Sequence, residues 1–369
     1  MSRVKVAEFI TNMGDGGAET LVKDYMLLLD KDQFDACVVT CFDKKNTANL
    51  RRLKEKGICV ISLDPGKNFF YKVWRKLNQP HYYGHRFLKL VKQKNISVVH
   101  AHLEVLHYLS QVSDDLKGIR LFHTCHAPVE KIYREREKIA AEKLIRNNQM
   151  GLIALHEQMA QEINRLFSVK NTAVIRNGID MARFQNPGVT KEEKRKELSI
   201  SEDVFVLGHV GRFADVKNHD FLVEVFREVA AKQENAFLLM VGAGDSAAIE
   251  KKLKGYGFEN RYKILSNRTD IHELLTAMDA FAFPSKYEGF GIALVEAQAA
   301  GLRCVASDGV PEEACRTENC FRLPLEDPER WANLLLSSDQ KVTAKDLSVY
   351  DMNREIKRLQ ALYLGEKYE

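Results

Sequence analysis

The sequence predicts an α/β protein built from two doubly wound parallel-sheet domains of similar size, and three observations carry that expectation. The chain has 369 residues, 45% hydrophobic and 29% charged, which is enough material for two cores of the soluble globular kind. Short apolar runs of strand length alternate with segments of helical period, the pattern of parallel strands joined by crossover helices. That rhythm pauses once, in the charged stretch GVTKEEKRKELSISED at 188–203, and then restarts.

Taken in order, VKVAEFI opens the first domain as a strand, AETLVKDYMLLL follows as a helix, DACVVTCF is a strand, 47–56 is helical and CVISL is a strand. ISVVHAHL, IRLFHTCHA and MGLIALH are the later strands, each trailed by polar or helical material. The domain is drawn as 1–184. The second, 185–346, runs through VFVLGHVGR, a helix at 218–232, AFLLMVGAGD, YKILSN, AFAFPS and RCVAS. In the remaining 347–369, Met352, Ile356, Leu359 and Leu362 recur at helical intervals and predict a docked terminal helix. No short-period repeat or low-complexity segment is visible.

Several classes drop out. No apolar run approaches the roughly 20 residues of a membrane span, since even AFLLMVGAG is cut by glycine. MSRVKVAEFI enters a strand pattern without the apolar core of an export signal, so a cytoplasmic location is expected. The seven cysteines are odd in number and contain no C-x-x-C pair, which favours reduced thiols over a zinc site. No G-x-S-x-G or H-E-x-x-H appears, and the D-x-D at 30–32 closes a helix instead of following a strand.

The net charge of +4 conceals an uneven split: residues 1–184 hold 30 Lys/Arg against 20 Asp/Glu, and the remainder 25 against 31. The excess gathers at 66–95, where eight Lys/Arg are interleaved with aromatic residues and no acid occurs between Asp64 and Glu104. Such a segment suits an anionic membrane interface; a solvated basic face over an amphipathic helix is the other reading. No nucleic-acid motif accompanies the charge, so nucleic acid is not an expected partner.

The stretch EGFGIALVE at 288–296 places glycines at a strand-to-helix turn, between DAFAFPS and IALVEAQAAG, with an acid on either side. A helix N-terminus with nearby glycines is an anion site, and carboxylates accept hydrogen bonds from hydroxyls. Glu288 and Glu296 therefore suit a ligand anionic in its middle and hydroxylated at its ends, as a nucleotide diphosphate sugar is; acids are also simply favoured at helix starts by the macrodipole. VGRFADVKN puts Arg212 and Lys217 at the carboxyl edge of the same sheet, where two cations would neutralise a diphosphate or stand as solvated loop charges. MVGAGD adds a third glycine turn but has Ala247 where a dinucleotide fingerprint needs glycine.

In the first domain, Gly16 and Gly17 in NMGDGGAET bring backbone amides to a turn too loose for a P-loop. FHTCHAP ends a strand with His123 and His126, which either touch hydroxyls or serve as structural residues. His100 and His102 are read as alternating across a strand, so that at most one of them faces a cleft.

The ordered set GGAET, VVHAH, HTCHAP, RNGID, GRFADVKN, VGAGD, PSKYEGFGIALVEAQAAG and YDMNREIKRLQALY, spread over almost the whole chain, resembles the family 4 glycosyltransferases, retaining enzymes of the GT-B architecture, and in particular those that build bacterial capsular and exopolysaccharides. Glu288 and Glu296 match the family's E-x7-E acids. The resemblance implies two Rossmann-like domains facing a central cleft, with the C-terminal helix packing back toward the N-terminal domain. It implies a metal-independent transfer from a nucleotide diphosphate sugar, a UDP-sugar by expectation, to a lipid-linked saccharide or polysaccharide at the inner face of the cell membrane, with no cofactor. Glu288 would hold donor-sugar hydroxyls beside the amides of Phe290 and Gly291, and Glu296 the ribose. Arg212 and Lys217 would grip the diphosphate, Gly16 and Gly17 would close over the donor, and His126 would contact the sugar near the reacting carbon. Backbone near 266–268 would meet the base. Two departures stand out: 310–325 lacks the glycine-rich loop of many relatives, and Arg176 replaces the usual Tyr or Pro before N-G-[IV]-D. A non-catalytic sugar-nucleotide-binding subunit, an epimerase or a phosphorylase of the same shape are the alternatives.

Overall fold

The computed structural model describes residues 3–64, 79–266, 268–337 and 347–366. The chain forms two compact units, Met1–Asn177 with Asn353–Glu369, and Gly178–Met352. The first is a seven-stranded sheet in the order β3-β2-β1-β4-β5-β6-β7, every neighbouring pair parallel. Its strands are β1 (Val4–Ile10), β2 (Phe34–Thr40), β3 (Cys59–Ser62), β4 (Val98–His102), β5 (Arg120–Thr124), β6 (Gly151–Ala154) and β7 (Ala173–Val174). Helices cover both faces of such a sheet, so its strands read as continuous apolar runs. In β1 the last five residues are all buried, Glu8 among them.

The second unit is a six-stranded parallel sheet in the order β10-β9-β8-β11-β12-β13. It comprises β8 (Phe205–Val210), β9 (Ala236–Val241), β10 (Tyr262–Leu265), β11 (Ala280–Phe283), β12 (Arg303–Ser307) and β13 (Cys320–Leu323). Its core is closed by the helix His219–Lys232, which buries Leu222, Val223, Phe226 and Val229, and by the helix Pro328–Leu336 with its fully buried Trp331. Strand order reverses between β1 and β4 and again between β8 and β11. Ligands of open α/β sheets gather at the carboxyl ends of strands flanking such a reversal.

The units part at 177/178 and 352/353, where the sequence places boundaries at 184/185 and 346/347. The two linking segments pair with each other: Ile179 N–H donates to Tyr350 O at 2.7 Å, Met352 N–H donates to Ile179 O at 3.0 Å, and Gly178 lies flat against the Met352 backbone. Residues 178–185 and 347–352 thereby belong to the second unit. The terminal helix Met352–Leu364 continues into the first, and it buries Met352, Ile356, Leu359 and Tyr363, with Leu362 only half-buried. A spacing of 3.6 residues favours 363 over 362 as the next inward position.

Two further expectations change. Cys315 and Cys320 are bonded, against the expectation that all thiols are reduced; the turns around Glu312–Ala314 and Thr317–Cys320 bring their Cα atoms to 5.5 Å, within the disulfide range. The helix Gln79–Lys94 turns Tyr82, Tyr83 and Phe87 inward, Phe87 stacking on Phe9 at 4.1 Å, so these rings are core residues and the exposed face keeps Arg86, Lys89, Lys92 and Lys94 with His81, His85 and Gln93. The rest of the basic segment, 66–78, lies outside the described residues. Among the described residues no helix is long and apolar enough to cross a membrane.

Candidate active site

In the second unit the chemistry collects at the carboxyl ends of β8 and β11. After β8 the chain turns at Gly211, and after β9 at Gly242 and Gly244. The two turns lie against each other: Gly211 N–H donates to Val241 O at 2.9 Å, Phe213 N–H to Ala243 O at 2.8 Å, and a Cβ on Gly242 would overlap the Gly211 carbonyl. These glycines of the VGAGD turn are therefore required by packing, with no dinucleotide needed to explain them. Gly242→Ala is expected to destabilise the protein by about 1–3 kcal/mol, read as a lower urea midpoint with an unchanged m-value.

Lys217 ends the short turn Asp215–Lys217. Its side chain passes Gly211, lies over the Phe283 ring at 4.7 Å and reaches Glu288 Oε1 with Nζ at 2.5 Å. Both side chains are largely buried, 17% and 15% exposed, so solvent screens this ion pair less than a surface pair. Lys286 N–H donates to Val216 O at 2.8 Å, which pins the loop carrying Glu288 to the turn carrying Lys217, and Glu288 N–H donates to Gly309 O at 3.1 Å, which ties the same loop to the segment after β12. Arg212 is exposed on the turn after β8 and makes no ion pair among the described residues. The structure thus joins Lys217, and not Arg212, to Glu288.

Gly291 caps the helix Ile292–Ala299 at φ +90°, a conformation that favours glycine. Phe290 is buried and packs edge-on to Tyr350 at 5.2 Å, which anchors the turn. The first amides of that helix have no intrahelical acceptor and carry its positive end. Glu296 sits in the second turn, half-buried. Beneath Lys217 lies His209, which sequence reading passed over: Nδ1–H donates to Ala282 O at 2.9 Å, and burial, then neighbouring His219, holds its pKa well below the usual range. His219 is held down to about 4, by burial first and by Lys217 second. Two neutral rings therefore floor the site and leave the lysine as its local cation.

The first unit places a different cluster at the carboxyl ends of β1, β4 and β5. Glu8 is fully buried; its Oε2 accepts from His102 Nε2 at 2.7 Å, and its Oε1 accepts from the Tyr363 hydroxyl at 2.7 Å. His100 meets the same hydroxyl at 2.5 Å through Nδ1 and Thr124 Oγ1 at 2.7 Å through Nε2. His102 Nδ1 lies 2.9 Å from His126 Nε2. His100 and His102 do not alternate across the strand: residues two apart share a face, and their rings lie 4.0 Å apart, both against Glu8. His123 is closed off, bonded to the Tyr133 hydroxyl at 2.7 Å and to Leu103 O at 3.1 Å, whereas His126 is half-buried.

Burial opposes ionisation of Glu8, yet the charge of His100 and the hydrogen bonds from both histidines outweigh it and hold the carboxyl well below the usual range. His102 is pushed down to about 4, by burial first and His100 second. Glu8, His100 and His102 also form the one group among the described residues whose ligand atoms, within 4.8 Å of one another, are spaced to hold a metal ion. Each of those atoms already has a hydrogen-bond partner, so the arrangement is complete as a polar network.

Gly16 and Gly17 open the helix Gly17–Leu28. The Glu19 carboxylate folds back over Gly14 and Gly16, while nothing stands within 4 Å of a Cβ on Gly17. An acid thus occupies the turn at which the sequence anticipates an anion. Of the base-contacting segment expected at 266–268, residue 267 lies outside the described residues.

Two switch-point sheets with these clusters define a class. Residues 15–183 match the family model described as Glycosyltransferase Family 4, and residues 190–337 the model described as Glycosyl transferases group 1. The chain belongs to the family 4-like glycosyltransferases of GT-B fold, and it is an enzyme of that kind. It is 27% identical to the putative glycosyltransferase EpsF of Bacillus subtilis over 85% of this chain and 81% of that one. To the capsular polysaccharide biosynthesis glycosyltransferase CapH of Staphylococcus aureus it is 25% identical, over 98% and 99%. To the Escherichia coli UDP-Gal:alpha-D-GlcNAc-diphosphoundecaprenol alpha-1,3-galactosyltransferase it is 28% identical over 69% of each chain. In fold it superposes on Anabaena Alr3699/HepE, crystallised with UDP and glucose, at a TM-score of 0.80 and 20% identity, covering 99% of this chain and all of that one.

Proposed function

We propose that the chain moves a sugar from a nucleotide diphosphate sugar, a UDP-sugar, to a lipid-linked or polysaccharide precursor in bacterial surface polysaccharide synthesis, with retention of configuration and without a metal. The observation that carries this reading is the Lys217–Glu288 pair at the β8/β11 switch point, beside a glycine-capped helix N-terminus. The names of the E. coli and S. aureus relatives support the acceptor class and the pathway, and the UDP and glucose held by the Anabaena protein support the donor.

The chemistry follows from where charge develops. As the bond from the anomeric carbon to the diphosphate breaks, negative charge grows on the leaving phosphate. Lys217, Arg212 and the first amides of the helix Ile292–Ala299 are the groups to receive it, and cations fixed in advance do so without reorganisation. Glu288 keeps Oε2 for a sugar hydroxyl while Lys217 holds Oε1, and Glu296 takes the ribose. The acceptor hydroxyl attacks on the face the diphosphate leaves, and a leaving phosphate oxygen takes its proton. Gly17 contributes its open backbone; Gly16 does so only where Glu19 swings away.

Incubating the purified chain with a panel of labelled sugar nucleotides tests this reading. Slow sugar release without acceptor, faster with a lipid-linked saccharide, is expected. Binding without turnover would favour a non-catalytic partner subunit, and interconversion of the sugar an epimerase. Membrane contact through the basic segment is a separable part of the reading: charge reversal at the exposed Lys89 and Lys94 is expected to weaken co-sedimentation with anionic vesicles. Unchanged sedimentation removes the contact and leaves the chemistry standing.

A further inference from the structure

We propose that Glu8 and His102 are positioning residues that fix the proton of His126 on Nε2, so that Nδ1 of His126 is presented as an acceptor for a sugar hydroxyl. The proposal rests on the reading above that His126 meets a sugar. Its basis is a chain of three residues, joined by two contacts, that runs out of the buried sheet.

Glu8 on β1 is wholly enclosed, and an ionised carboxylate only accepts hydrogen bonds. His102 Nε2, 2.7 Å away, must therefore carry a proton. A neutral His102 then has a bare Nδ1, which accepts; its partner at 2.9 Å is His126 Nε2, which must donate. One proton on a neutral His126 leaves Nδ1 bare. Among the described residues that atom has no hydrogen-bond partner, and the ring is only half-buried, so it is the end of the chain that meets whatever approaches.

The inner end is locked as firmly. The Tyr363 hydroxyl donates to Glu8 Oε1 at 2.7 Å and accepts from His100 Nδ1, which fixes the carboxylate from the terminal helix. His102 and His126 thus each have one allowed proton position, set by Glu8 one link and two links away. Burial and the three neighbouring histidines hold His126 well below its ordinary pKa, which keeps it a neutral acceptor. A neutral acceptor aligned by a buried anion orients a hydroxyl oxygen without adding positive charge beside it.

The test is 15N-histidine NMR of the full chain near neutral pH, with His126→Gln assigning the signal. Wild type is expected to show His126 protonated on Nε2. In Glu8→Gln the amide oxygen keeps the Tyr363 bond, and its NH2 donates to His102 Nε2. The protons of His102 and His126 should then both move to Nδ1, and kcat should fall, by at most the roughly 10⁴-fold that tautomer reversal costs in a Ser-His-Asp triad. An Nδ1–H tautomer of His126 in wild type overturns the proposal, and that spectrum decides the matter even where the variant does not fold. So does a folded Glu8→Gln protein with reduced activity but an unchanged His126 tautomer, which would make Glu8 merely structural. Sugar release by wild type is scored separately, so failure of the transferase reading is distinguishable from failure of the relay.

Discussion

Lys217→Met is expected to lower kcat for sugar transfer by on the order of 10² to 10³-fold, measured with saturating donor and acceptor. The methionine keeps the packing over Phe283 and past Gly211 but removes the ammonium that faces the leaving diphosphate. It also releases Glu288 Oε1, so the loop at 284–290 loses one of its ties to the 215–217 turn while the Lys286 N–H to Val216 O bond remains. Arginine at 217 should recover only part of the rate, because a planar fork is longer and flatter than the ammonium that Glu288 and Phe283 fit. A Lys217→Met enzyme with undiminished kcat would remove this residue from the chemistry.

The second large effect is on stability against pH. His102 and His123 in the first unit and His219 in the second have pKa values held at about 4 when folded. Unfolded histidine titrates near 6.5. As pH falls below about 6.5 the unfolded chain takes up protons that the folded chain refuses, so stability is full above that value and drains away down to about 4. Each such histidine is worth on the order of 3 kcal/mol, so the two in the first unit together are a large part of the stability of an ordinary domain. Glu8 acts in the next window: its carboxyl is held below the usual range, so its contribution is intact above about 4.3 and is lost as pH falls further. Urea midpoints taken between about pH 8 and 4 should fall steeply below 6.5. A flat profile over that range would contradict the burial and neutrality assigned to these rings.

Much of the second unit was legible in the sequence because its signals are local. A strand ending in a proline turn, two glycines and a helix start within a dozen residues, and the packing that makes Glu288 meet Lys217 follows from β8 and β11 being neighbours at a switch point. Arg212 is the exception there. Its position after a strand resembles that of Lys217, but only the lysine lies on the turn tied to the Glu288 loop.

The first unit was less legible, and for a physical reason. Glu8 sits in VKVAEFI, where a lone acid reads as an interruption of an apolar strand; its role depends on His100, His102 and a tyrosine 355 residues away. Nothing in the local period of either segment announces that meeting. The same holds for Tyr363, whose inward position depends on the phase of the terminal helix, and for the unit boundary, set by the pairing of Ile179 with residues 350–352. His209 escaped because a histidine inside a strand carries no sign of which nitrogen is occupied. The Cys315–Cys320 bond escaped because its five-residue spacing belongs to no recurring motif. The turn at Gly16 and Gly17 is real as a helix start; what the sequence did not announce is that the chain's own Glu19 folds over Gly16 while Gly17 stays open.

Calorimetric titration of the full chain with UDP and with UDP-sugars, in wild type, Lys217→Met and Glu288→Gln, tests the central claim most directly. The account predicts that Lys217→Met weakens UDP itself by about tenfold or more, while Glu288→Gln leaves UDP nearly unchanged and loses the added affinity for the intact sugar nucleotide. Wild-type affinity for UDP in Lys217→Met, together with an unaltered preference for the sugar nucleotide in Glu288→Gln, would contradict it.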